Sequence, residues 1–354
     1  MKNLKPHKNS RVVKIGSLKI GGGNPIAVQS MTKTNSHDVR ATIKQIKELE
    51  EVGCEMIRVA IPTIEAAKKL KDIKKGINIP LIADIHFDYR LAIESIKQGA
   101  DKIRINPGNI NSRLKVKEII KACKEREIPI RVGGNTGSLK EKYLKKFKGP
   151  TPEALIESVL DEIRIIESLN FDSIVVSLKS SNVRTMIEAN HLFSSISDYP
   201  LHLGVTEAGL PGRGEIPSAI GIGTLLYEGI GDTIRVSLTG DPILEVKAAY
   251  NILGTLNLRN MGVRIISCPT CGRLEYDMLS VLASVLKLVR NLKKPLTIAI
   301  MGCSVNGPGE AKEADIGIAG GKKSAVIFKK GKIVATVNEE NLIDAFLSEL
   351  NSLI

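Results

Sequence analysis

Three of the chain's five cysteines fall in its last quarter, as Cys268-Pro269-Thr270-Cys271 and Cys303, each group closing a strand-like run. Thiols so placed suit three chemistries. A thioredoxin-like dithiol would use the CxxC pair after a strand but leaves Cys303 without a task. A zinc site wants a fourth cysteine or a histidine, and the five histidines, His7, His37, His86, His191 and His202, all precede this segment. An iron–sulfur cluster held by three thiolates, with an oxygen ligand or open position on the fourth iron, uses all three. Such an incomplete shell leaves one iron free for substrate. The count favours the cluster, and on spacing alone the dithiol and zinc readings stay open. Cys54 and Cys123 stand apart and read as small buried residues.

A second group of residues points to an anion. Four strand-like tetrads are nearly the same: Ile57-Arg58-Val59-Ala60, Ile103-Arg104-Ile105-Asn106, Ile130-Arg131-Val132-Gly133 and Ile234-Arg235-Val236-Ser237. Side chains alternate across a strand, so the apolar neighbours would face a packed layer and each arginine the opposite side. Buried guanidinium groups are costly without negative charge, and the local acids Asp84 and Glu207 are too few for four. Internal ion pairs, or arginines reaching solvent, are the plain alternative. Their recurrence at equivalent positions favours a phosphate-rich ligand, which arginine's planar fork fits. Other strand ends are polar too: Gln29-Ser30-Met31, Asp84 with His86, Asn106, Asn135, Ser177 with Lys179, and Glu207. Glu207, set among apolar residues, is the natural proton donor. His86 taken singly reads as a hydrogen-bonded core histidine, and Lys179 reads equally as a solvated loop lysine.

The elements that must position these groups alternate regularly. After a hairpin-like lead-in (12–15, 18–20), apolar β-rich runs occur near 26–30, 57–61, 80–85, 101–106, 128–133, 172–178, 201–206 and 232–238. Segments of helical period follow them, such as 39–52, 152–169 and 242–258. Eight βα units in about 250 residues predict a (β/α)8 barrel, whose active site lies at the C-terminal strand ends. A doubly wound open sheet is the structural alternative. Beyond residue 258 the rhythm changes to strands at 263–267 and 296–301 around a helix at 277–291, then a strand pair at 324–328 and 332–337 and a helix at 340–350. The expected organisation is therefore α/β throughout: an N-terminal TIM-type barrel, residues 1–258, and a smaller α/β cluster domain, residues 259–354.

Composition narrows the function classes. The chain has 354 residues, 43% of them hydrophobic, enough for a large core. It shows neither a membrane-length apolar run nor a secretory h-region, which predicts a cytoplasmic protein with no membrane partner. The net charge of +13 invites a nucleic-acid reading, but the lysines are scattered and only 3% of residues are aromatic, whereas nucleic-acid modules concentrate charge and stacking rings. No nucleic-acid partner is expected. Solvated helix faces, an anionic substrate or an acidic protein partner accounts for the excess.

Glu310 follows Cys303 across a Gly/Pro-rich stretch able to fold back, and here the chain becomes recognisable. SCPTCGR (267–273), MGCSVNGPGEA (301–311) and ADIGIAGG (314–321) resemble the 4-hydroxy-3-methylbut-2-enyl diphosphate synthase family of the non-mevalonate isoprenoid pathway. QSMT (29–32), ADIHF (83–87), RINPGN (104–109), NTGSL (135–139) and VTEAGL (205–210) extend the resemblance over the barrel. Gly134 and Ser36 depart from the family's usual residues, away from the chemistry. The resemblance implies a 4Fe–4S cluster bound by Cys268, Cys271, Cys303 and Glu310. It implies reductive opening of 2-C-methyl-D-erythritol 2,4-cyclodiphosphate to the linear allylic diphosphate, a two-electron step with loss of water. By motif position Arg58, Arg104, Arg131, Lys179, Arg235 and Ser237 would hold the diphosphate. Asp84, Asn106 and Asn135 would orient it, with His86 and Asn306 also in the substrate site. Glu310 would act as an exchangeable ligand and Glu207 as proton donor. Flavodoxin or ferredoxin would supply electrons.

Topology adds one expectation. The last barrel helix returns to the end opposite the active mouth, so the cluster domain is tethered on the order of 30 Å from the anion site. A head-to-tail homodimer, each cluster domain capping its partner's barrel, solves this, and the family is understood to use it. Two competing readings are an aldolase- or pteroate-synthase-like barrel with a structural zinc module, and a basic metal-containing nucleic-acid-binding protein.

Overall fold

Alternate residues of the barrel strands meet two different environments. Ile57, Val59, Ile103, Ile105, Ile130, Val132, Ile234 and Val236 belong to one continuous buried cluster with helix residues such as Leu70, Ile119 and Leu253. The intervening arginines therefore point to the other side of the sheet. The computed structural model describes residues 9–110, 112–274, 276–290, 292, 294–303, 309, 312–321 and 324–353.

The chain divides into two units, Met1–Arg259 and Asn260–Ile354. In the first, a hairpin of β1 (Val13–Ile15) and β2 (Leu18–Ile20) precedes eight parallel strands. These are β3 (Ala27–Met31), β4 (Met56–Ala60), β5 (Leu81–Asp84), β6 (Lys102–Arg104), β7 (Ile130–Asn135), β8 (Ile174–Lys179), β9 (His202–Leu203) and β10 (Thr233–Ile234). Each strand pairs with the next, β10 returns to β3, and a parallel bridge from Val176 to Leu201 joins β8 to the β9 segment. The ring closes, so this is a barrel rather than an open sheet. Hairpin residues Val13, Ile15 and Ile20 pack with Ala27, Met56, Ile82 and Val175 and plug its N-terminal end.

The helices start where polar caps place them. Asp38, Thr63, Asp88, Thr151, Asn182 and Asp241 each accept a backbone N–H in the first turn of the helix that follows. The last two strands are shorter than their apolar runs suggest, leaving Arg235, Ser237 and Glu207 on the segments beyond them, although Arg235 N–H still donates to Leu203 O.

In the second unit β11 (Val263–Ser267), β12 (Leu296–Met301), β13 (Ile316–Gly321), β14 (Ser324–Lys329) and β15 (Lys332–Asn338) form one sheet in that order, parallel up to β13 and antiparallel beyond it. A helix at Met278–Val289 and the closing helix Leu342–Asn351 pack on it through Val281, Val285 and Phe346. The central strand β13 is absent from the sequence-based expectation because its glycines mask a strand pattern. Those glycines serve close approach: a Cβ at Gly320 would run into the Tyr276 ring.

Candidate functional site

The barrel interior gathers more positive than negative charge. Arg58 stands on β4, Arg104 on β6 and Arg131 on β7, with Asp84 on β5 between the first two; Arg104 lies in register with both Asp84 and Arg131. Asp84 is the shared counter-ion: its oxygens lie 3.6 Å from Arg58 Nε, 3.4 Å from Arg104 Nη1 and 3.7 Å from His86 Nε2. Burial alone would raise the Asp84 carboxyl, but Arg58, the His86 hydrogen bond, Arg104 and Arg131 outweigh it and hold it well below the usual carboxylate range. Arg58 also directs Nε and Nη2 at the Met31 sulfur, and burial pushes its guanidinium down to about 10 despite Asp84.

Among the described residues Arg131 forms no direct ion pair, although Asp84 acts on it at longer range. Arg131 is 2% exposed, and its Nε and Nη1 are buried without a hydrogen bond. Burial, then the neighbouring Arg58 and Arg104, drive its pKa far below the ordinary value. Lys102 is fully buried one layer deeper, its Nζ 3.7 Å from the Met56 sulfur. Lys179 closes β8, half-buried, with its Nζ 2.8 Å from where a Cβ on Gly204 would stand, so it is not a solvated loop lysine; burial, then Arg131, Arg235, Arg58 and Arg104, lower its ammonium. His202 is buried, with Nδ1 2.8 Å from Thr233 Oγ1 and Nε2 unpartnered. A cluster of buried cations of this kind would be stabilised by an anion.

Two sequence expectations require correction. Glu207 is exposed, at a left-handed φ of 53° in the turn after β9. Its apolar neighbours Val205 and Leu203 alternate into the core while the turn carries Glu207 outward. The second acid of the interior is instead Glu245, from the helix Pro242–Thr255, 1% exposed and paired with Arg235. Glu245 was detectable as a charged residue on the face that buries Pro242, Val246, Ala249 and Leu253. His86 is not a core histidine: its ring is largely exposed and lies 3.3 Å from Arg104 Nη1.

The asparagines fix loops. Asn106 Oδ1 accepts from Gly133 N–H at 3.3 Å, and Asn135 accepts from Gly137 N–H while donating to Thr206 Oγ1 at 3.2 Å. That last bond ties the turn after β7 to the segment bearing Glu207. The loop after β6 is clamped separately, with Glu162 accepting Gly108 N–H and Lys140 donating to Gly108 O. Ser237 lies half-buried just beyond β10.

In the second unit Cys268, Cys271 and Cys303 line one cavity of about 340 Å³. Cys268 Sγ accepts Gly302 N–H at 3.2 Å; a Cβ on Gly302 would sit 3.0 Å from that sulfur and 2.8 Å from Leu274 Cδ1. Backbone N–H groups aimed at a cysteine sulfur are what tune cluster thiolates. Among the described residues no three His, Cys, Asp or Glu side chains converge as a single ion requires. Glu310 and Asn306 lie outside the described residues.

A closed (β/α)8 barrel with a cation-lined interior, followed by a separate sheet module presenting three thiols to one cavity, defines a two-domain barrel protein. The chain belongs to the GcpE family: the GcpE TIM-barrel domain matches residues 10–250 and the GcpE protein C-terminal domain residues 264–352. Relatives named 4-hydroxy-3-methylbut-2-en-1-yl diphosphate synthase (flavodoxin) are similar from end to end. The one from Caldanaerobacter subterraneus is 59% identical over 99% of both chains. That from Clostridium perfringens is 54% identical over 98% of this chain and 99% of its own. Among solved structures, dihydropteroate synthase from Xanthomonas albilineans aligns with a TM-score of 0.51 at 14% identity, over 70% of this chain and 99% of that one. That likeness concerns the barrel fold alone.

Proposed function

We propose that the chain reduces 2-C-methyl-D-erythritol 2,4-cyclodiphosphate to (E)-4-hydroxy-3-methylbut-2-enyl diphosphate in isoprenoid biosynthesis, with flavodoxin as donor. The observation that carries this reading is the end-to-end similarity, through both domains, to synthases of that name. Two electrons and one proton enter, the ring carbon–oxygen bond breaks with its oxygen kept by the diphosphate, and one hydroxyl leaves as water.

Cys268, Cys271, Cys303 and Glu310 would hold a 4Fe–4S cluster, which when bound supplies the electrons singly. Arg58, Arg104, Arg131, Lys179 and Arg235 bind the diphosphate, whose charge removes the mutual repulsion that burial imposes on them. Ser237 donates a hydroxyl hydrogen bond to it. Asp84 keeps Arg58, Arg104 and His86 in register, while Asn106 and Asn135 set the two loops that bound the substrate. Asn306 completes the substrate contacts. Glu207, exposed on its strained turn, delivers the proton to the departing hydroxyl once the site is covered. A head-to-tail homodimer, in the cytoplasm, would bring a cluster domain to each barrel; among the described residues no helix is long and apolar enough to cross a membrane.

Anaerobic incubation of the cyclic diphosphate with a chemical reductant tests the reading. Formation of the linear allylic diphosphate is expected; inactivity of brown, iron-replete protein overturns it. Glu207→Gln should keep cluster absorbance and substrate affinity while losing most turnover.

A further inference from the structure

The buried carboxylate of Glu245 touches four groups from two segments. Oε2 lies 3.3 Å from Arg235 Nε, and both oxygens lie 3.4 Å from Arg235 Nη2. Lys33 Nζ is 3.3 Å from Oε1, Leu238 N–H donates to Oε1 at 3.2 Å, and Ser30 Oγ donates to Oε2 at 3.2 Å. Ser30 stands on β3, Lys33 just beyond it, and Arg235 and Leu238 on the segment that β10 opens. The residue thus straddles the seam where the last strand meets the first. It also occupies the first turn of the helix that follows β10, where the helix dipole favours a carboxylate.

We infer that Glu245 is a positioning residue for anion binding, acting through Arg235. The inference deepens the proposed function and rests on it for the identity of the anion. Among the described residues Arg131 has no carboxylate in direct contact, whereas Arg235 is held by a carboxylate that engages Nε and Nη2 and leaves Nη1 outside the pair. A guanidinium on a flexible stem loses rotamer freedom when it grips a ligand. Glu245 meets that loss in advance, because a two-point carboxylate contact fixes both the position and the plane of the fork. Lys33, which also donates to Leu238 O, keeps the carboxylate from swinging toward solvent.

The test uses the full-length holoenzyme, with calorimetry of inorganic diphosphate binding and steady-state kinetics on the cyclic diphosphate. Glu245→Gln should weaken diphosphate binding by about tenfold, raise KM by a similar factor and leave kcat nearly unchanged. Arg235→Gln should weaken binding more. The double variant should bind no worse than Arg235→Gln, since a residue acting only through Arg235 has nothing left to position. If Glu245→Gln fails to fold, Glu245→Asp keeps the charge but withdraws it from the fork, and weaker diphosphate binding is again expected. Wild-type affinity in the folded variant, or full additivity in the double variant, overturns the inference. A wild-type enzyme that binds diphosphate but does not turn over the cyclic diphosphate overturns the proposed function instead and leaves the positioning role standing.

Discussion

The two candidate sites are built on opposite principles. In the barrel, the cations proposed to bind the ligand sit on or just beyond hydrogen-bonded strands, their directions fixed by register, and among the described residues Arg131 and Lys102 are buried without a carboxylate in direct contact. The protein bears the cost of this site before any ligand arrives. In the second unit, Cys268 and Cys303 are partly covered and Cys271 is exposed, on segments that follow strands. Thiols are inexpensive to leave in water, and their arrangement becomes fixed when metal binds. An anion should therefore stabilise a site already built, and a cluster should complete one that is only outlined.

The largest expected effect breaks one site and spares the other. Cys268→Ser should abolish iron binding and activity, because the loss of one of three thiolates leaves too few soft ligands. Inorganic diphosphate should still stabilise the variant, by about 2.7 kcal/mol at a hundredfold excess over Kd. Loss of diphosphate protection together with the iron would show that the two sites do not form separately.

Arg131→Met sharpens the contrast from the barrel side. Diphosphate affinity should fall roughly a hundredfold, while the ligand-free protein gains about 1 kcal/mol or more in denaturant unfolding, since a buried unpaired cation is exchanged for apolar volume. Iron content should not change. A variant that loses stability as well as affinity would mean that Arg131 has a structural partner after all.

Asp84→Asn should cost roughly 1–3 kcal/mol at neutral pH. The folded-state pKa of Asp84 is depressed, so its contribution is present above the ordinary carboxyl range near pH 4 and is lost as pH falls below it. Wild-type stability should therefore drop more steeply than the variant's on acidification, which chemical denaturation at several pH values would measure.

Much of this was readable in the sequence. The strand alternation in Ile103-Arg104-Ile105 fixes which residues face the barrel interior, because a period of two admits only two sides. What escaped depends on contacts between distant segments. Glu245 is 215 positions from its partner Ser30, and no local pattern announces that pairing. β13 was hidden because its glycines answer to the rings of Tyr276 and Phe328. The exposure of Glu207 follows from a single left-handed residue, whereas apolar neighbours in sequence suggested burial.

The smallest expected effect concerns protons. Burial lowers the Lys179 ammonium first, and Arg131, Arg235, Arg58 and Arg104 lower it further. The ligand-free barrel therefore disfavours the charged amine, and an arriving diphosphate reverses that preference, so binding takes up to about one proton from solution. Affinity should then decline as pH rises from the depressed pKa toward the ordinary lysine value, the opposite of what deprotonation of the phosphate alone would give. Calorimetric titration of inorganic diphosphate in two buffers of different ionisation enthalpy measures the uptake directly, as the slope of observed enthalpy against buffer enthalpy. A positive uptake that disappears in Lys179→Met is the expected result. Equal uptake in both proteins would move the proton to another of the buried bases, with His202 and Lys102 next in line because the same cations surround them.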